Sequence, residues 1–373
     1  MKDHDALKPT ILLVIADSSR TGGPKQVLVL MKGLLEQYRL ALACPTGWLS
    51  EEAKKLNIEV HDLPSTRLKS RDSLKKIFEV VKPDLIHVHG VRGGMMTLFA
   101  TPTPKDGIKS TPILYTEHTW TEDFPMMSHV RKALHLFLLR KFFKKTTKVI
   151  AVSKAVESFL VRHRIAPQSN IEVIYGGIEM NEEIEPVREA IVGFLGHIST
   201  VKGVHLLIKA LALLHRHYPD LRCKIAGLGE ELFYFQYLAH KLKVDQIVEW
   251  VGEVHEPHDF FKEIRVLVQP SLSEAFGLSV LEAMSCGIPV IASRVGGLPE
   301  IVEDNETGLT FPKGEVAVLA SQLELLINDQ PLYEKLSKNG RERASHFTTD
   351  RMIRSHLELY QQCLQKAPMD GKK

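Results

Sequence analysis

The chain has 373 residues, of which 44% are hydrophobic and 25% are charged. At roughly 150 residues per domain this length indicates two domains, and the composition excludes a disordered, collagen-like or small disulfide-rich protein. No stretch approaches the roughly 18 apolar residues of a membrane span, and the polar start Met1–Asp5 is untypical of a signal peptide. Four widely separated cysteines favour a reducing compartment and argue against zinc and disulfides.

The net charge of +3 conceals an asymmetry along the chain. Residues 1–170 carry 27 Lys and Arg against 16 Asp and Glu, whereas residues 171–373 carry 21 against 29. Halves of opposite sign favour two domains with different partners.

Short apolar runs alternate with helix-length segments through the first half. We predict a helix over about 24–38, another that begins near 153, and strands over 11–15, 40–43, 85–89, 113–116 and 149–152. Continuously apolar strands separated by helices are typical of a parallel sheet that is covered on both faces.

The pattern restarts after residue 186, with helices over about 203–218 and 348–364 and strands over 190–195, 223–226, 247–251, 266–268 and 290–292. The turn-rich, acidic segment Tyr175–Pro186 is the expected linker. We therefore predict an α/β protein with two Rossmann-like domains, 1–175 and 176–350, which face a central cleft. The helix at about 350–365 is expected to pack back on the first domain.

A glycine pair, Gly22-Gly23, follows the first strand and opens a helix, with Pro24 in its first turn. Glycine lets the backbone approach a ligand, and unpaired amides at a helix start attract phosphate. A tight turn without a ligand explains the pair equally well, because the loop matches neither the Walker motif nor the dinucleotide fingerprint.

Histidines stand at the ends of two predicted strands: His87 and His89 on one, and His118 after Glu117 on the next. Ligands of open α/β sheets bind at this carboxyl edge, so His118 is a candidate functional residue. A buried, hydrogen-bonded core histidine is the alternative for each, and we favour it for His87. Metal binding is disfavoured, because no ligand set with the usual spacing accompanies them.

The segment 124–148 is basic and amphipathic: it contains no acid, its apolar residues are interleaved, and its cations are Arg131, Lys132, Arg140, Lys141, Lys144, Lys145 and Lys148. Such a helix can lie on an anionic membrane surface. It can equally pack its apolar side on the sheet and expose a solvated basic side. No nucleic-acid-binding module accompanies it, so nucleic acid is not an expected partner.

Phosphate- and sugar-binding chemistry is concentrated in the second half. Lys202 stands at a helix start after a glycine-containing loop, an arrangement that suits a diphosphate. Glu274 precedes the helix that begins near Gly277 and Ser279, and Glu282 lies within it. Carboxylates accept hydrogen bonds from sugar hydroxyls, so the two are expected to contact different parts of one extended ligand. The alternative is a capped surface helix with an apolar stripe towards the core.

Together these motifs resemble the retaining glycosyltransferases of the GT-B fold, glycosyltransferase family four, over nearly the whole chain. The carriers of the resemblance are Gly22-Gly23, His118, Val152-Ser153, Val173–Ile178, Gly196–Gly203, Ile225–Glu230 and above all Pro270–Phe311, which contains the E-x(7)-E pair Glu274 and Glu282.

The resemblance implies that the second domain binds a UDP- or GDP-sugar. Lys202 and helix amides would hold the diphosphate, Glu282 would accept the ribose hydroxyls, and His118 and Glu274 would act on the transferred sugar. The remaining donor-binding candidates are Gly22, Gly23, His197, Gly227, Val254, Phe276, Gly277, Leu278 and Ser279.

Two positions depart from the family pattern. His197 stands where the family usually has an arginine that pairs with the lysine on the diphosphate, and histidine carries less positive charge at pH 7. Gly176-Gly177 replaces the usual Asn-Gly, and we expect this to be tolerated because both residue types allow a positive φ.

The implied activity is sugar transfer with retained anomeric configuration, without a metal or cofactor. The acceptor would be a saccharide or a lipid-linked molecule in envelope polysaccharide or glycolipid synthesis, in the cytoplasm or on the inner face of the membrane. The alternatives are a catalytically inactive nucleotide-sugar-binding partner, or another GT-B enzyme such as a sugar-nucleotide epimerase or a phosphorylase. A dehydrogenase is disfavoured because the GxGxxG fingerprint with its distal acid is missing.

Overall fold

A computed structural model describes residues 8–64, 67–100, 111–119, 121, 136–137 and 139–366. The chain folds into two compact units. Unit 1 comprises Met1–Trp120, Met126–Gly177 and Thr349–Lys373, and unit 2 comprises Thr121–Pro125 and Ile178–Thr348.

Unit 1 contains a seven-stranded sheet in the order β3-β2-β1-β4-β5-β6-β7, in which every pair of neighbours is parallel. Its strands are β1 (Thr10–Ile15), β2 (Arg39–Cys44), β3 (Glu59–Asp62), β4 (Leu85–His89), β5 (Ile113–Glu117), β6 (Lys148–Ala151) and β7 (Ile171–Val173). The first helices are α1 (Gly22–Leu34), α2 (Trp48–Lys55), α3 (Arg67–Val81), α4 (Gly90–Ala100) and α5 (Lys154–Arg162). The central strands are buried along almost their whole length, as expected for a parallel sheet covered on both faces.

Unit 2 contains a six-stranded parallel sheet in the order β10-β9-β8-β11-β12-β13. Its strands are β8 (Ile191–Leu195), β9 (Arg222–Ala226), β10 (Val248–Gly252), β11 (Val266–Gln269), β12 (Val290–Ser293) and β13 (Leu309–Phe311). Its helices are α6 (Val204–Leu214), α7 (Leu232–Lys241), α8 (Pro257–Phe261), α9 (Leu278–Ser285), α10 (Leu298–Ile301), α11 (Val316–Asn328) and α12 (Gln330–Ala344). Two parallel sheets covered by helices confirm the predicted α/β class with two Rossmann-like domains.

The last helix, α13 (Thr349–Lys366), belongs to unit 1 and packs against α1. Gly33 of α1 packs directly against Ile353. A Cβ at that glycine would stand only 2.5 Å from the Ile353 Cδ1 atom, so a larger residue would not fit there. The Tyr38 and Tyr360 rings meet edge to face at 5.8 Å. Residues from the end of the chain therefore complete the core that residues near its start begin.

Two details of the sequence prediction are wrong. Helices α1 and α6 end at Leu34 and Leu214, four residues earlier than predicted. Neither Gly176 nor Gly177 takes a left-handed φ, so that explanation of the Gly-Gly pair fails. Instead, the Gly177 amide donates to the Gln26 Oε1 atom at 3.0 Å, and its carbonyl accepts from the Gln26 Nε2 atom at 2.8 Å.

Of the basic segment 124–148, residues 124–135 and 138 lie outside the described residues. In the described remainder, Leu139 and Phe142 are buried, whereas the Phe137 ring is half exposed and lies under the Lys141 ammonium at 4.8 Å. The apolar side of this part therefore packs into unit 1. None of the helices in the described part of the chain is both long and apolar enough to cross a membrane.

Candidate active site

The centre of the candidate site in unit 2 is an ion pair between Lys202 and Glu274. The Lys202 Nζ atom lies 2.8 Å and 2.7 Å from the two Glu274 carboxylate oxygens, and the two side chains are 27% and 12% exposed. Lys202 ends a single turn of 3₁₀ helix after β8, and Gly203 then takes φ +73° as α6 begins. A Cβ at Gly203 would stand 1.8 Å from the Pro270 carbonyl oxygen, so glycine is required for this approach.

The Glu274 carboxylate is fixed by neutral partners as well as by the lysine. Its Oε2 atom accepts hydrogen bonds from the Ser271 hydroxyl at 3.1 Å and, at a long 3.4 Å, from the Gln269 amide. Its own backbone carbonyl accepts from the Gly297 amide at 3.0 Å. Gly296 has φ +50°, and a Cβ there would stand 1.7 Å from that same carbonyl oxygen. The loop is thus built to hold one carboxylate in one orientation.

Helix α9 begins shortly after Glu274 in the sequence. Gly277 is its N-cap with φ +116°, and Leu278 and Ser279 are its first two residues. The Ser279 hydroxyl donates to the Gln269 Oε1 atom at 3.2 Å, which links the helix start to the Glu274 network through one glutamine. The first amides of a helix have no intrahelical acceptor and attract anions.

Phe276 and Glu282 flank that helix start. Phe276 is buried and meets the Phe347 ring edge to face at 5.9 Å, which assigns it a packing role in the described contacts. Glu282 is the fifth residue of α9 and is half buried, and its backbone carbonyl accepts from the Ser285 hydroxyl.

The remaining candidates of unit 2 lie in the neighbouring loops. The His197 Nε2 atom lies 3.2 Å from a Glu230 carboxylate oxygen, and both side chains are largely exposed, at 45% and 87%. Gly227 has φ +134°, and a Cβ there would stand 1.8 Å from the Gly196 carbonyl oxygen, so the backbone alone requires this glycine. Val254 is half buried in the loop that follows β10.

The glycine pair of unit 1 forms the first two residues of α1. The preceding loop is organised by Asp17, whose carboxylate accepts from the Ser19 amide and hydroxyl and from the Thr21 hydroxyl. A Cβ at Gly23 would meet no described atom within 4 Å, and its φ is not positive. Neither packing nor backbone conformation in the described structure therefore demands glycine at this position.

His118 directly follows β5 and contacts His89, the last residue of β4. The His118 Nε2 and His89 Nδ1 atoms are 3.1 Å apart, and the ring planes differ by 23° with centroids 5.4 Å apart. His118 is half buried, whereas His89 is only 4% exposed. The histidines that stand at the ends of these two neighbouring strands therefore meet at the carboxyl edge of the sheet.

His87 is a fully buried core histidine, as predicted. Its ring nitrogens bond to the Tyr360 hydroxyl and to the Thr116 hydroxyl, the latter at 2.7 Å. His356, one turn before Tyr360 on α13, lies with its ring centroid 5.8 Å from that of His87. Sequence reasoning missed both α13 residues, and their only signal was a polar i, i+4 pair on a helix at the far end of the chain.

Burial keeps these histidines neutral near pH 7. Burial, and to a smaller extent His356 nearby, lowers the pKa of His118 to about 4. Burial likewise lowers the pKa of His356 to about 4, against a smaller opposing effect of the bond to the Met352 carbonyl. The pKa values of His87 and His89 lie well below their usual range because of burial and then the neighbouring histidines. Within the described residues, no group of three or more His, Cys, Asp or Glu side chains could hold a metal ion.

Two family models match the chain and together run from residue 21 to 343. Glycosyltransferase Family 4 matches residues 21–182, and Glycosyl transferases group 1 matches residues 178–343. The putative glycosyltransferase EpsD of Bacillus subtilis is 26% identical over 304 residues, which are 77% of this chain and 78% of EpsD. The D-inositol 3-phosphate glycosyltransferase of an Arthrobacter species is 32% identical over 57% of this chain and 55% of that protein.

The fold is also found among solved structures. Anabaena Alr3699/HepE, crystallised in complex with UDP-glucose, superposes with a TM-score of 0.82 over 95% of this chain and 99% of HepE, at 20% identity. The fold and the two family matches define the class of protein. The chain belongs to the group 1 glycosyltransferases of the GT-B fold.

Proposed function

We propose that this glycosyltransferase moves a sugar from a nucleotide-diphosphate sugar to a saccharide or lipid-linked acceptor, with retention and without a metal ion. The observation that carries the proposal is the Lys202–Glu274 pair, which brings a cation for a diphosphate and a carboxylate for sugar hydroxyls together in unit 2. UDP-sugars are the first donors to test, since the HepE structure contains UDP-glucose, and GDP-sugars are the second.

The transfer reaction requires stabilisation of the negative charge on the leaving diphosphate. The bond between the sugar C1 atom and the phosphate oxygen breaks, and the sugar becomes oxocarbenium-like. Lys202 and the first amides of α9 stabilise the negative charge on the departing group. The acceptor oxygen bonds to C1 on the same face, and its proton passes to the departing phosphate.

The other candidates take the roles that the family pattern gives them. Glu274 and His118 contact the transferred sugar, Glu282 accepts the ribose hydroxyls, and Gly23 lets the backbone approach the diphosphate. His197 stands in the place of an arginine, and its Nε2 atom lies 3.2 Å from a Glu230 carboxylate oxygen, whose negative charge opposes a diphosphate there. Lys202 therefore carries most of the electrostatic stabilisation from side chains.

The acceptor and its location form a separate part of the proposal. We place the reaction in envelope polysaccharide or glycolipid synthesis on the cytoplasmic side, with the basic segment 124–148 on an anionic membrane. Liposomes with anionic lipid should bring the protein down at low salt and release it at high salt. Absence of binding at low salt would remove the membrane part and leave the transfer proposal intact.

Donor identity is tested first by thermal shift with a panel of UDP- and GDP-sugars, and transfer is then assayed on saccharides, lipid-linked saccharides and inositol phosphate. Glu274→Ala should lower transfer at least about 100-fold. Glu306→Ala, which removes an exposed carboxylate of a surface pair in the same unit, should leave transfer unchanged. The site assignment is wrong if Glu274→Ala transfers at the wild-type rate and binds donor tightly.

The rival functions have distinct outcomes in the same assays. A wild-type protein that binds a nucleotide sugar but neither transfers nor hydrolyses it is a catalytically inactive partner, and the histidine at position 197, where the family usually has an arginine, is the observation that favours this alternative. Conversion of the donor to another nucleotide sugar without any acceptor would indicate an epimerase.

A further inference from the structure

The contact between His89 and His118 leaves two ring nitrogens with contrasting surroundings. The His89 Nε2 atom is buried and has no hydrogen-bond partner among the described residues. The His118 Nδ1 atom also has no partner in the described part of the chain, but the His118 ring is only half buried. One nitrogen is thus sealed inside the unit, whereas the other belongs to a ring that is partly exposed.

Only two arrangements of protons satisfy the contact when both rings are neutral. In the first, the His89 Nδ1–H donates to His118 Nε2, so that His118 carries its proton on the accessible Nδ1 atom. In the second, the His118 Nε2–H donates to His89 Nδ1, so that His89 carries its proton on the buried Nε2 atom. Each ring has one proton and one lone pair, so the contact fixes both tautomers together.

The buried Nε2 atom of His89 decides between them. The second arrangement buries an N–H group without an acceptor, and such orphaned donors are rarer in proteins than under-satisfied acceptors. The first leaves only a lone pair unpaired. We infer that His89 is a positioning residue that holds His118 as the Nδ1–H tautomer, so that His118 presents a hydrogen-bond donor to its substrate.

The surrounding cluster fixes the His89 ring in place. His87, two residues earlier on β4, packs its ring against that of His89 with centroids 4.0 Å apart. His87 is itself tied to Thr116 on β5 and to Tyr360 on α13. His89 therefore cannot easily turn to exchange its two nitrogens, and the tautomer of His118 is built into the core of unit 1.

Whether the His118 Nδ1 atom donates or accepts a hydrogen bond determines which substrate atoms it can bind. An Nδ1–H group donates to an oxygen, such as a sugar hydroxyl or a carbonyl, and cannot remove a proton from it. This assignment rests on the proposed function only in taking the substrate of His118 to be the transferred sugar. The tautomer itself is a property of the protein without any substrate.

The first experiment therefore needs no substrate. The full chain, labelled with ¹⁵N in its histidines, is examined by long-range ¹H–¹⁵N correlation at about pH 7.5, with assignments from His118→Asn and His89→Asn. Both rings should carry their proton on Nδ1. Protons on Nε2 in both rings would overturn the inference, whether or not the protein transfers sugar.

Paired variants then test the positioning role. Asparagine places its amide nitrogen close to the position of a histidine Nδ1 atom, so His89→Asn should keep kcat within about threefold. His89→Leu removes the donor and should lower kcat roughly 10- to 100-fold while donor KM changes little, the equivalent of one lost hydrogen bond. Leu34→Ala is the control for damage to the core, because it removes a fully buried apolar side chain of unit 1 at the last residue of α1 and leaves every ring of the histidine cluster in place.

The outcomes separate the inference from the proposed function. If His89→Leu and Leu34→Ala lower kcat equally, His89 has no positioning role. If His89→Leu does not fold, kcat of His89→Asn and the spectra of the wild type still decide. If the wild type transfers no sugar from any donor, the proposed function fails, and the spectra alone judge the tautomer.

Discussion

His356 gives unit 1 a specific sensitivity to acid. Its ring is 4% exposed, its Nδ1–H donates to the Met352 carbonyl at 2.8 Å, and burial lowers its pKa to about 4, against an ordinary value of 6.5. A folded-state pKa below the unfolded one means that unfolding takes up a proton whenever the pH lies between the two. Protonation of His356 therefore has no effect on stability above about pH 7, and stability falls as the pH drops from 6.5 towards 4.

The magnitude follows from the two pKa values. Their full difference is worth about 3 kcal/mol, reached only below both values. At about pH 5 the unfolded histidine is almost fully protonated and the folded one is not, which lowers the free energy of unfolding by about 2 kcal/mol relative to about pH 7.5.

The perturbation that isolates this effect is His356→Asn. The asparagine amide can still donate to the Met352 carbonyl but does not titrate. The variant should be less stable than wild type near pH 7.5 and should lose about 2 kcal/mol less than wild type on going to about pH 5.

Urea unfolding followed by tryptophan fluorescence is the assay, in a Trp250→Phe background that removes the tryptophan of unit 2. Leu359→Ala, a buried apolar position on the same helix, is the control: it should lower stability at every pH without changing the acid loss. The reasoning is refuted if His356→Asn loses as much stability as wild type between the two pH values.

Three further predictions concern the candidate site. Gly23→Ala should leave the stability of unit 1 unchanged or raise it by up to about 1 kcal/mol, because a Cβ meets no described atom, while donor KM rises at least about tenfold; unchanged transfer kinetics would remove Gly23 from the site. Lys202→Met should destabilise unit 2 by about 1–2 kcal/mol by leaving a largely buried carboxylate without its cation. A double-mutant cycle with Glu274→Gln should show coupling of at least about 0.5 kcal/mol, and additive effects would contradict the pair. In urea unfolding, Gly227→Ala should lower the free energy of unfolding of unit 2 by at least about 2 kcal/mol more than Gly314→Ala does. Both glycines have a positive φ, but only a Cβ at Gly227 would clash with backbone. Equal losses of stability would show that the loop around Gly227 can move to accommodate the Cβ.

The sequence was sufficient to predict the elements whose apolar pattern is strong. Buried strands such as β1, β11 and β12 appear as almost uninterrupted apolar runs, and their predicted bounds lie within one residue of the observed ones. The missed strands, β3, β7 and β13, are only three or four residues long. The first two lie at opposite edges of their sheet and are partly exposed, so no apolar run marks them.

The candidate site shows a similar division. Lys202 and Glu274 could be predicted as chemical types from their places before two helices, but their direct pairing depends on loops that approach across 72 residues. The contact of His87 with Tyr360 spans 273 residues, and no local pattern connects them. Long-range side-chain contacts depend on how helices pack on the sheet, which spacing along the chain does not encode.

Because α13 packs on unit 1, the two units complete their folding in a definite order during synthesis. During synthesis, β1 to β7 leave the ribosome long before α13, and all of unit 2 except Thr121–Pro125 is translated between them. Until α13 emerges, His87 lacks its Tyr360 partner, and the surface of α1 around Gly33 lacks its cover. Unit 2, continuous from Ile178 to Thr348 apart from one short segment, can complete its core first, so the half of the chain made first is the half that finishes folding last.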